Sequence, residues 1–130
     1  MSPEYEKLIE TVCPTLYTEN SWGFSYGDGW FNITMKMSLK LEALAFEQLG
    51  PKVYVAQSKE KFGSLNVYLT YGTSEMQKIV NHYEKLSHST CEECGDTGKT
   101  VNQKGKSNWI RTLCKECRFI NEKQIADRQA

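Results

Sequence analysis

The chain has 130 residues, 39% of them hydrophobic and 25% charged, and its 16 basic and 16 acidic residues give a net charge of zero. This length can bury one core, or a small core that carries a metal-stabilised appendage. The neutral charge argues against a globally basic nucleic-acid binder, and no apolar run approaches the roughly 20 residues of a membrane span. We therefore expect a globular cytoplasmic protein, with no membrane association and no evident small-molecule substrate.

The first predicted element is a helix near the N-terminus. Ser2 is a suitable N-cap, Pro3 fits the first helical position, and acidic residues follow in the first turn. Apolar residues then recur at helical spacing until Pro14 ends the pattern. The sequence therefore predicts about three helical turns. Cys13 is expected to pack at the helix end, because nothing nearby in the sequence would lower its pKa.

Aromatic residues are concentrated between positions 22 and 31. They alternate with small or polar residues, and a flexible Gly27-Asp28-Gly29 turn interrupts them. One interpretation is a short strand or loop that covers the core. The other is a partner-binding surface, because tryptophan and tyrosine dominate binding hot spots. The candidate partner-binding residues are Trp22, Phe24, Tyr26 and Trp30.

Residues 30–49 carry two competing patterns. Apolar and polar residues alternate from Phe31 to Leu41, which is typical of a strand. A helical stripe competes with this alternation, and it consists of Trp30, Ile33, Met37, Leu41, Leu44 and Ala45. Gly50-Pro51 is a natural helix stop. We favour one long helix, and a strand to about Leu39 followed by a short helix is the alternative.

The next segments predict a β-hairpin and a helix. Residues 53–56 and 65–71 alternate between apolar and polar, which indicates two antiparallel strands. The connection, residues 58–63, is polar except for Phe62. Capping residues at Thr73 and Ser74 then precede an amphipathic helix that extends to about Leu86.

Four of the five cysteines form two Cys-x-x-Cys pairs, which residues 95–113 separate. A tetrahedral Zn²⁺ binds four thiolates, and a two-residue gap lets one turn present two sulfurs to the same ion. A redox dithiol needs a thioredoxin-like pattern that is missing here, and two disulfides need an oxidising compartment. Because four thiolates complete the coordination shell, the sequence predicts one structural Zn²⁺ and no catalytic metal. The predicted ligands are Cys91, Cys94, Cys114 and Cys117.

The sequence around the cysteines predicts a small metal unit. Residues 100–101 and 109–113 flank a turn-rich segment and indicate a hairpin, and a polar helix is expected from Lys115 to about Arg128. We therefore predict an α+β fold, with helices packed on an antiparallel β-hairpin over residues 1–88. A treble-clef-like or zinc-ribbon-like unit over residues 89–130 packs against it. Because the metal unit has so few apolar residues, its stability without zinc would be marginal.

Four motifs follow one another within residues 22–117. They are Gly27-Asp28-Gly29-Trp30, Lys59-Glu60-Lys61-Phe62-Gly63-x-Leu65, Cys91-x-x-Cys94-Gly95 and Trp109-x-x-Thr112-Leu113-Cys114-x-x-Cys117. In this order they resemble a family of small zinc-binding proteins that bacteriophages and prophages encode. The resemblance implies a phage origin and the cytoplasm of the host cell. It supplies no activity.

Two functions are compatible with these features. The first is a non-enzymatic binding protein with a structural zinc, which modulates or inhibits a host or phage protein such as defence or nucleic-acid machinery. The alternative is nucleic-acid binding or transcriptional regulation through the basic zinc hairpin. The residues of this alternative are Lys104, Lys106, Trp109, Arg111, Lys115 and Arg118. We expect no enzyme, since no phosphate loop, carboxylate pair or activated nucleophile is recognisable.

Overall fold

The computed structural model describes residues 1–18, 23–106 and 108–130, and it has an α+β fold. The helices are α1 (Pro3–Val12), α2 (Phe31–Glu47), α3 (Ser74–Ser87) and α4 (Lys115–Gln129). The strands are β1 (Phe24–Ser25), β2 (Tyr54–Lys61), β3 (Ser64–Thr70), β4 (Lys99–Asn102) and β5 (Ile110–Leu113). A short 3₁₀ turn over Asp28–Trp30 precedes α2. Within the described ranges, none of the helices is long and apolar enough to cross a membrane.

The predicted helices are confirmed. Ser2 caps α1 by accepting a hydrogen bond from the Tyr5 N–H, and Thr73 caps α3 in the same way for the Met76 N–H. The competition over residues 30–49 is resolved in favour of one helix, α2. Its buried residues recur with helical spacing, and they are Ile33, Thr34, Met37, Ser38, Leu41 and Ala45.

The described residues form two separate sheets. The first has the order β1-β2-β3, with β2 and β3 antiparallel and β1 parallel to β2. The second is the β4-β5 hairpin of the metal unit. A short strand was one of the two interpretations of residues 22–31, but the pairing of β1 with β2 was not predicted, because its two residues pair with Ser58 and Lys59, more than 30 positions away. The predicted hairpin is confirmed, but its strands extend further, so that only Phe62 and Gly63 lie between them.

The interpretation of the aromatic segment as a partner-binding surface requires a correction. Phe24 is 2% exposed, Tyr26 6% and Trp30 0%, so these three side chains belong to the core and cannot offer a surface. Tyr26 shares hydrogen bonds with the hydroxyls of Thr34 and Ser58, which satisfies its buried phenol. The alternative of a short strand that covers the core describes the segment. Trp22 lies outside the described residues.

Candidate metal centre

The four paired cysteines meet at one point. All of their Sγ atoms lie within 4.8 Å of one another, and the Sγ atoms of Cys94 and Cys114 are 3.6 Å apart. A disulfide would require about 2.05 Å. Four sulfurs at about 2.3 Å from a tetrahedral ion would be about 3.8 Å apart. The residues therefore fit a metal ion held by four thiolates, and the described cysteines form no disulfide.

Backbone geometry arranges the sulfurs. Gly95 has a φ of +86°, a conformation that favours glycine, and its N–H donates to the Cys91 carbonyl at 2.9 Å. The second pair begins α4, where Cys114 is the N-cap and its Sγ accepts the Cys117 N–H at 3.4 Å. Each Cys-x-x-Cys pair therefore forms one turn that directs two sulfurs to the same place.

Neighbouring sulfurs oppose the ionisation of two of the thiols, those of Cys94 and Cys117. Burial raises the pKa of Cys91. Together, the N–H groups of Cys114, Cys94 and Glu93 lower this pKa by more than burial raises it, so the net shift is downward. The pKa of Cys94 is lowered by the Asp96 N–H, yet burial and the neighbouring sulfurs raise it overall to about 11. Burial and the same sulfurs also raise the pKa of Cys117. A divalent cation would remove this repulsion, and its binding would release protons.

Gly27 and Gly29, the glycines of the first motif, contact the backbone of the metal unit. The Gly29 N–H donates to the Glu92 carbonyl at 2.8 Å, and the Gly27 N–H donates to the Glu92 carboxylate at 3.0 Å. A Cβ at Gly29 would stand 2.1 Å from the Cys91 carbonyl oxygen, and one at Gly27 would stand 2.6 Å from the Glu92 carbonyl oxygen. Only glycine lets the two backbones approach so closely.

Two further motif residues join the metal unit to the core. Trp30 is fully buried, and its Nε1–H donates to the Thr90 carbonyl at 2.8 Å. Thr112 is also fully buried, and its hydroxyl donates to the Gly63 carbonyl at 2.6 Å. Residues of all four sequence motifs therefore meet at the junction between the core and the metal unit, where their contacts hold the two regions together. Sequence analysis identified these residues as motifs but did not predict that they contact one another.

Arg111 and Glu92 form a charged pair beside the metal centre. Glu92 is 7% exposed, and burial raises the pKa of its carboxyl, although Arg111 and the Gly27 N–H oppose the shift. Burial lowers the pKa of Arg111, but Glu93 and Glu92 raise it more, so the guanidinium stays charged. The guanidinium lies 2.6 Å from the Glu93 carboxylate and 3.5 Å from that of Glu92. Sequence reasoning missed Glu92, because two adjacent glutamates between cysteines give no sign that one is buried.

The candidate nucleic-acid residues do not form one free basic surface. Lys104, Lys106 and Lys115 are exposed. Arg111 is occupied by its two glutamates, and Arg118 pairs with Glu122 at 3.0 Å between Nε and the carboxylate. The Lys106 Nζ lies 4.5 Å from the centroid of the Trp109 ring.

Comparison with known proteins gives no match to a family model, to a curated protein or to a solved structure.

Proposed function

We propose that this chain is a non-enzymatic, phage-encoded binding protein that carries one structural Zn²⁺ and modulates a protein of the host or phage. The four clustered thiolates support zinc, because soft sulfur ligands in a tetrahedral set select it and leave no open position for water. The motif resemblance supports the phage origin and action in the host cytoplasm. Defence and nucleic-acid machinery are the partner classes that this setting favours.

The observation that carries a protein partner is an exposed apolar face on α1 and α2. On α1, Tyr5, Leu8 and Val12 follow one another at helical spacing and are 40%, 47% and 42% exposed. On α2, Leu39 is 49% exposed and Phe46 80%. We call these five residues the α1–α2 face.

Contacts at two points place α1 and the segment after it beside α2. The Tyr5 and Phe31 rings stack with centroids 4.2 Å apart at one end. At the other end the Glu42 carboxylate accepts the N–H groups of Thr15 and Leu16, both at 3.1 Å. The helices therefore run side by side, and helical spacing places Leu39 and Phe46 on the same flank of α2 as Phe31. Large apolar side chains left exposed on neighbouring helices favour a protein interaction site.

The test is affinity capture from host lysate at physiological salt, with an apolar-to-charged pair of substitutions. The wild-type protein is expected to retain one protein in 1:1 ratio, and Leu8→Asp with Phe46→Asp is expected to lose it, because a carboxylate at the centre of an apolar interface is strongly unfavourable. The matched control is Phe119→Asp on α4, where the side chain is also exposed, at 68%.

Each outcome bears on the proposal. Loss of the partner in the α1–α2 double variant and retention in Phe119→Asp supports it. The proposal is contradicted if the wild type captures no stoichiometric partner, or if only the α4 control loses it. Light scattering of the purified protein separates a partner from a second copy, since self-association through this face would double the mass without lysate.

The second candidate is nucleic-acid binding by the metal unit, and one cleft favours it. This cleft, of about 390 Å³, borders Cys114, and Lys99, Lys115 and Arg118 contribute the charges among its lining residues. The glutamate partners of Arg111 and Arg118 weaken this candidate. Lys104→Gln with Lys115→Gln would reduce the salt dependence of binding by about one unit of slope per lost phosphate contact, whereas an unchanged slope would contradict it.

A further inference from the structure

The β2–β3 turn contains an aromatic residue in an unfavourable backbone conformation. Lys61 pairs with Ser64, so the loop has two residues, and both have positive φ, +51° at Phe62 and +82° at Gly63. Such two-residue loops favour asparagine followed by glycine. A bulky residue at positive φ is an outlier. The hairpin would therefore tolerate asparagine at position 62 better than phenylalanine.

Burial does not compensate for this conformation. Phe62 is 67% exposed. The glycine beside it has a structural reason, because a Cβ on Gly63 would lie 3.0 Å from the Thr100 side chain, and the Glu60 carboxylate accepts its N–H at 2.7 Å. The Lys61 Nζ lies 6.0 Å from the centroid of the Phe62 ring. These contacts explain Gly63, whereas most of the Phe62 side chain faces solvent.

The outward residues of the strands beside this turn include two lysines and no acid, and the Glu84 carboxylate of α3 accepts the Val67 N–H at the edge of β3. Val55, Leu65 and Val67 are buried on the inner face. The alternation of a strand places the opposite set outward, and this set includes Lys59, Lys61, Ser64, Asn66 and Tyr68. Tyr68 is 43% exposed, and the Lys59 Nζ lies 5.6 Å from its ring centroid. Among the described strand residues of this sheet, the single acid is Glu60, which pairs with the inward Leu65.

We propose that Lys59, Lys61, Phe62 and Tyr68, which we call the sheet–tip surface, bind single-stranded nucleic acid. Two lysines with no outward carboxylate are complementary to a phosphate backbone, and the exposed Phe62 and Tyr68 rings offer stacking platforms for bases. A single strand fits better than a duplex, because its unpaired bases are free to stack on aromatic rings. This inference goes beyond the proposed function and uses a different surface from the α1–α2 face.

The experiment uses the full-length, metal-loaded protein and labelled 12-nucleotide strands of mixed sequence, as DNA and as RNA. Fluorescence anisotropy is measured between 50 and 200 mM salt, with the matching duplexes as competitors. We expect binding to the single strands that weakens with salt and is weaker for duplexes. Lys59→Gln with Lys61→Gln is expected to reduce the slope of log affinity against log salt by about 0.7 per lost contact.

Phe62→Asn is the decisive variant, because it is expected to weaken single-strand binding without lowering Tm. Asparagine suits the turn, so Tm is expected to stay equal or rise. Loss of the stacking ring is expected to weaken single-strand binding about tenfold. A structural role for Phe62 would lower Tm and leave the affinity of the folded protein unchanged, and that result would overturn the proposal.

The control is Lys104→Gln with Lys106→Gln in the metal unit. If these substitutions reduce the salt slope and the sheet–tip substitutions do not, nucleic acid binds the zinc hairpin instead and the sheet–tip proposal fails. Absence of single-strand binding by the wild type at 50 mM salt and 100 µM protein also overturns it. A protein captured from lysate that is lost in Phe62→Asn would identify a protein as the occupant, which also contradicts the proposal. The results with nucleic acid leave the test of capture through Leu8 and Phe46 unchanged, because that test uses substitutions on α1 and α2.

Discussion

The core and the metal unit are stabilised in different ways. The core buries a large set of apolar side chains from α1, α2, α3 and the first sheet, including Leu16, Trp30, Met37 and Leu65 at 0% exposure. The buried apolar cluster at the metal centre consists of Cys91, Leu113 and Cys114, with Cys117 packed against it. Burial of apolar area stabilises the first region, whereas the second is too small to fold on burial alone.

This difference shows why so many motif residues lie between the two regions. The metal unit contributes hydrogen-bond acceptors at Thr90 and Glu92, and the core contributes the glycine N–H groups and the Trp30 indole that donate to them. If zinc binding supplies the folding free energy of the metal unit, the junction holds that unit in one position on the core. The comparison then predicts which changes affect one region and which affect both.

The largest effect is expected from loss of the metal. Cys94→Ser should reduce zinc from about one equivalent to nearly none, because three thiolates hold the ion far less tightly. Hydrogen exchange should then increase across residues 91–130, while α2, α3 and the first sheet keep their protection. Mass spectrometry of exchange and metal analysis are the measurements. Cys13→Ala is the control, since it removes a thiol from the core and should keep the zinc.

Either of two results would contradict this difference in stabilisation between the core and the metal unit. Native protein with less than half an equivalent of any thiophilic metal would remove the basis for a metal-stabilised unit. Equal loss of protection in the core and the metal unit after Cys94→Ser would show that they unfold as one cooperative unit.

Gly29→Ala is expected to have the next largest effect, because it separates the two regions by steric conflict. The new Cβ would meet the Cys91 and Glu92 carbonyl oxygens at 2.1 and 2.6 Å, and overpacking of this kind lowers the free energy of unfolding by about 3 kcal/mol. Gly50→Ala is the control without a steric conflict, because nothing lies within 4 Å of its Cβ, although its φ of +86° disfavours alanine. It should cost about 1 kcal/mol. Equal values from urea denaturation would contradict the steric explanation.

Trp30→Phe is expected to have a moderate effect that is strongest in the metal unit. The variant keeps an aromatic ring in the core but removes the donor to the Thr90 carbonyl, which should cost about 2 kcal/mol. Tyr26→Phe provides the comparison, because the hydroxyl that it removes bonds Thr34 and Ser58 within the core. Hydrogen exchange should increase around residues 88–98 in the first variant and within the first sheet in the second. The same pattern in both would contradict the assignment of Trp30 to the junction.

The sequence predicted the elements whose signals are local. The helices α1 and α3 were recognisable from their local caps, Ser2 and Thr73, and from their apolar periodicity, whereas α2 has no side-chain cap and was recognisable from its apolar periodicity. The four cysteines were recognisable because metal binding requires a short spacing. The hairpin turn was placed wrongly because Lys59, Glu60 and Lys61 are polar. In the structure the two lysines face solvent from a strand, and Glu60 stabilises the turn.

The remainder depends on contacts between distant residues. The pairing of β1 with β2 and the approach of Gly29 to Glu92 join positions that are 34 and 63 residues apart. Alternation in residues 22–31 showed that one side of the segment differs from the other, but not whether Phe24 and Tyr26 face inward. Small residues beside Trp30 were the signal of close backbone packing. That signal does not identify the backbone that approaches.

The smallest expected effect distinguishes the two kinds of cysteine in the chain. Cys13 is fully buried, and burial, with Glu42 nearby, raises its pKa to about 11. About one thiol in ten thousand is then ionised at pH 7, so it should not react with a thiol reagent in the folded protein. Ellman titration should detect no fast thiols with metal bound, four after a chelator is added, and five only in denaturant. Five fast thiols after chelation would mean that the core opens when the metal leaves, so the two regions would not be stabilised independently.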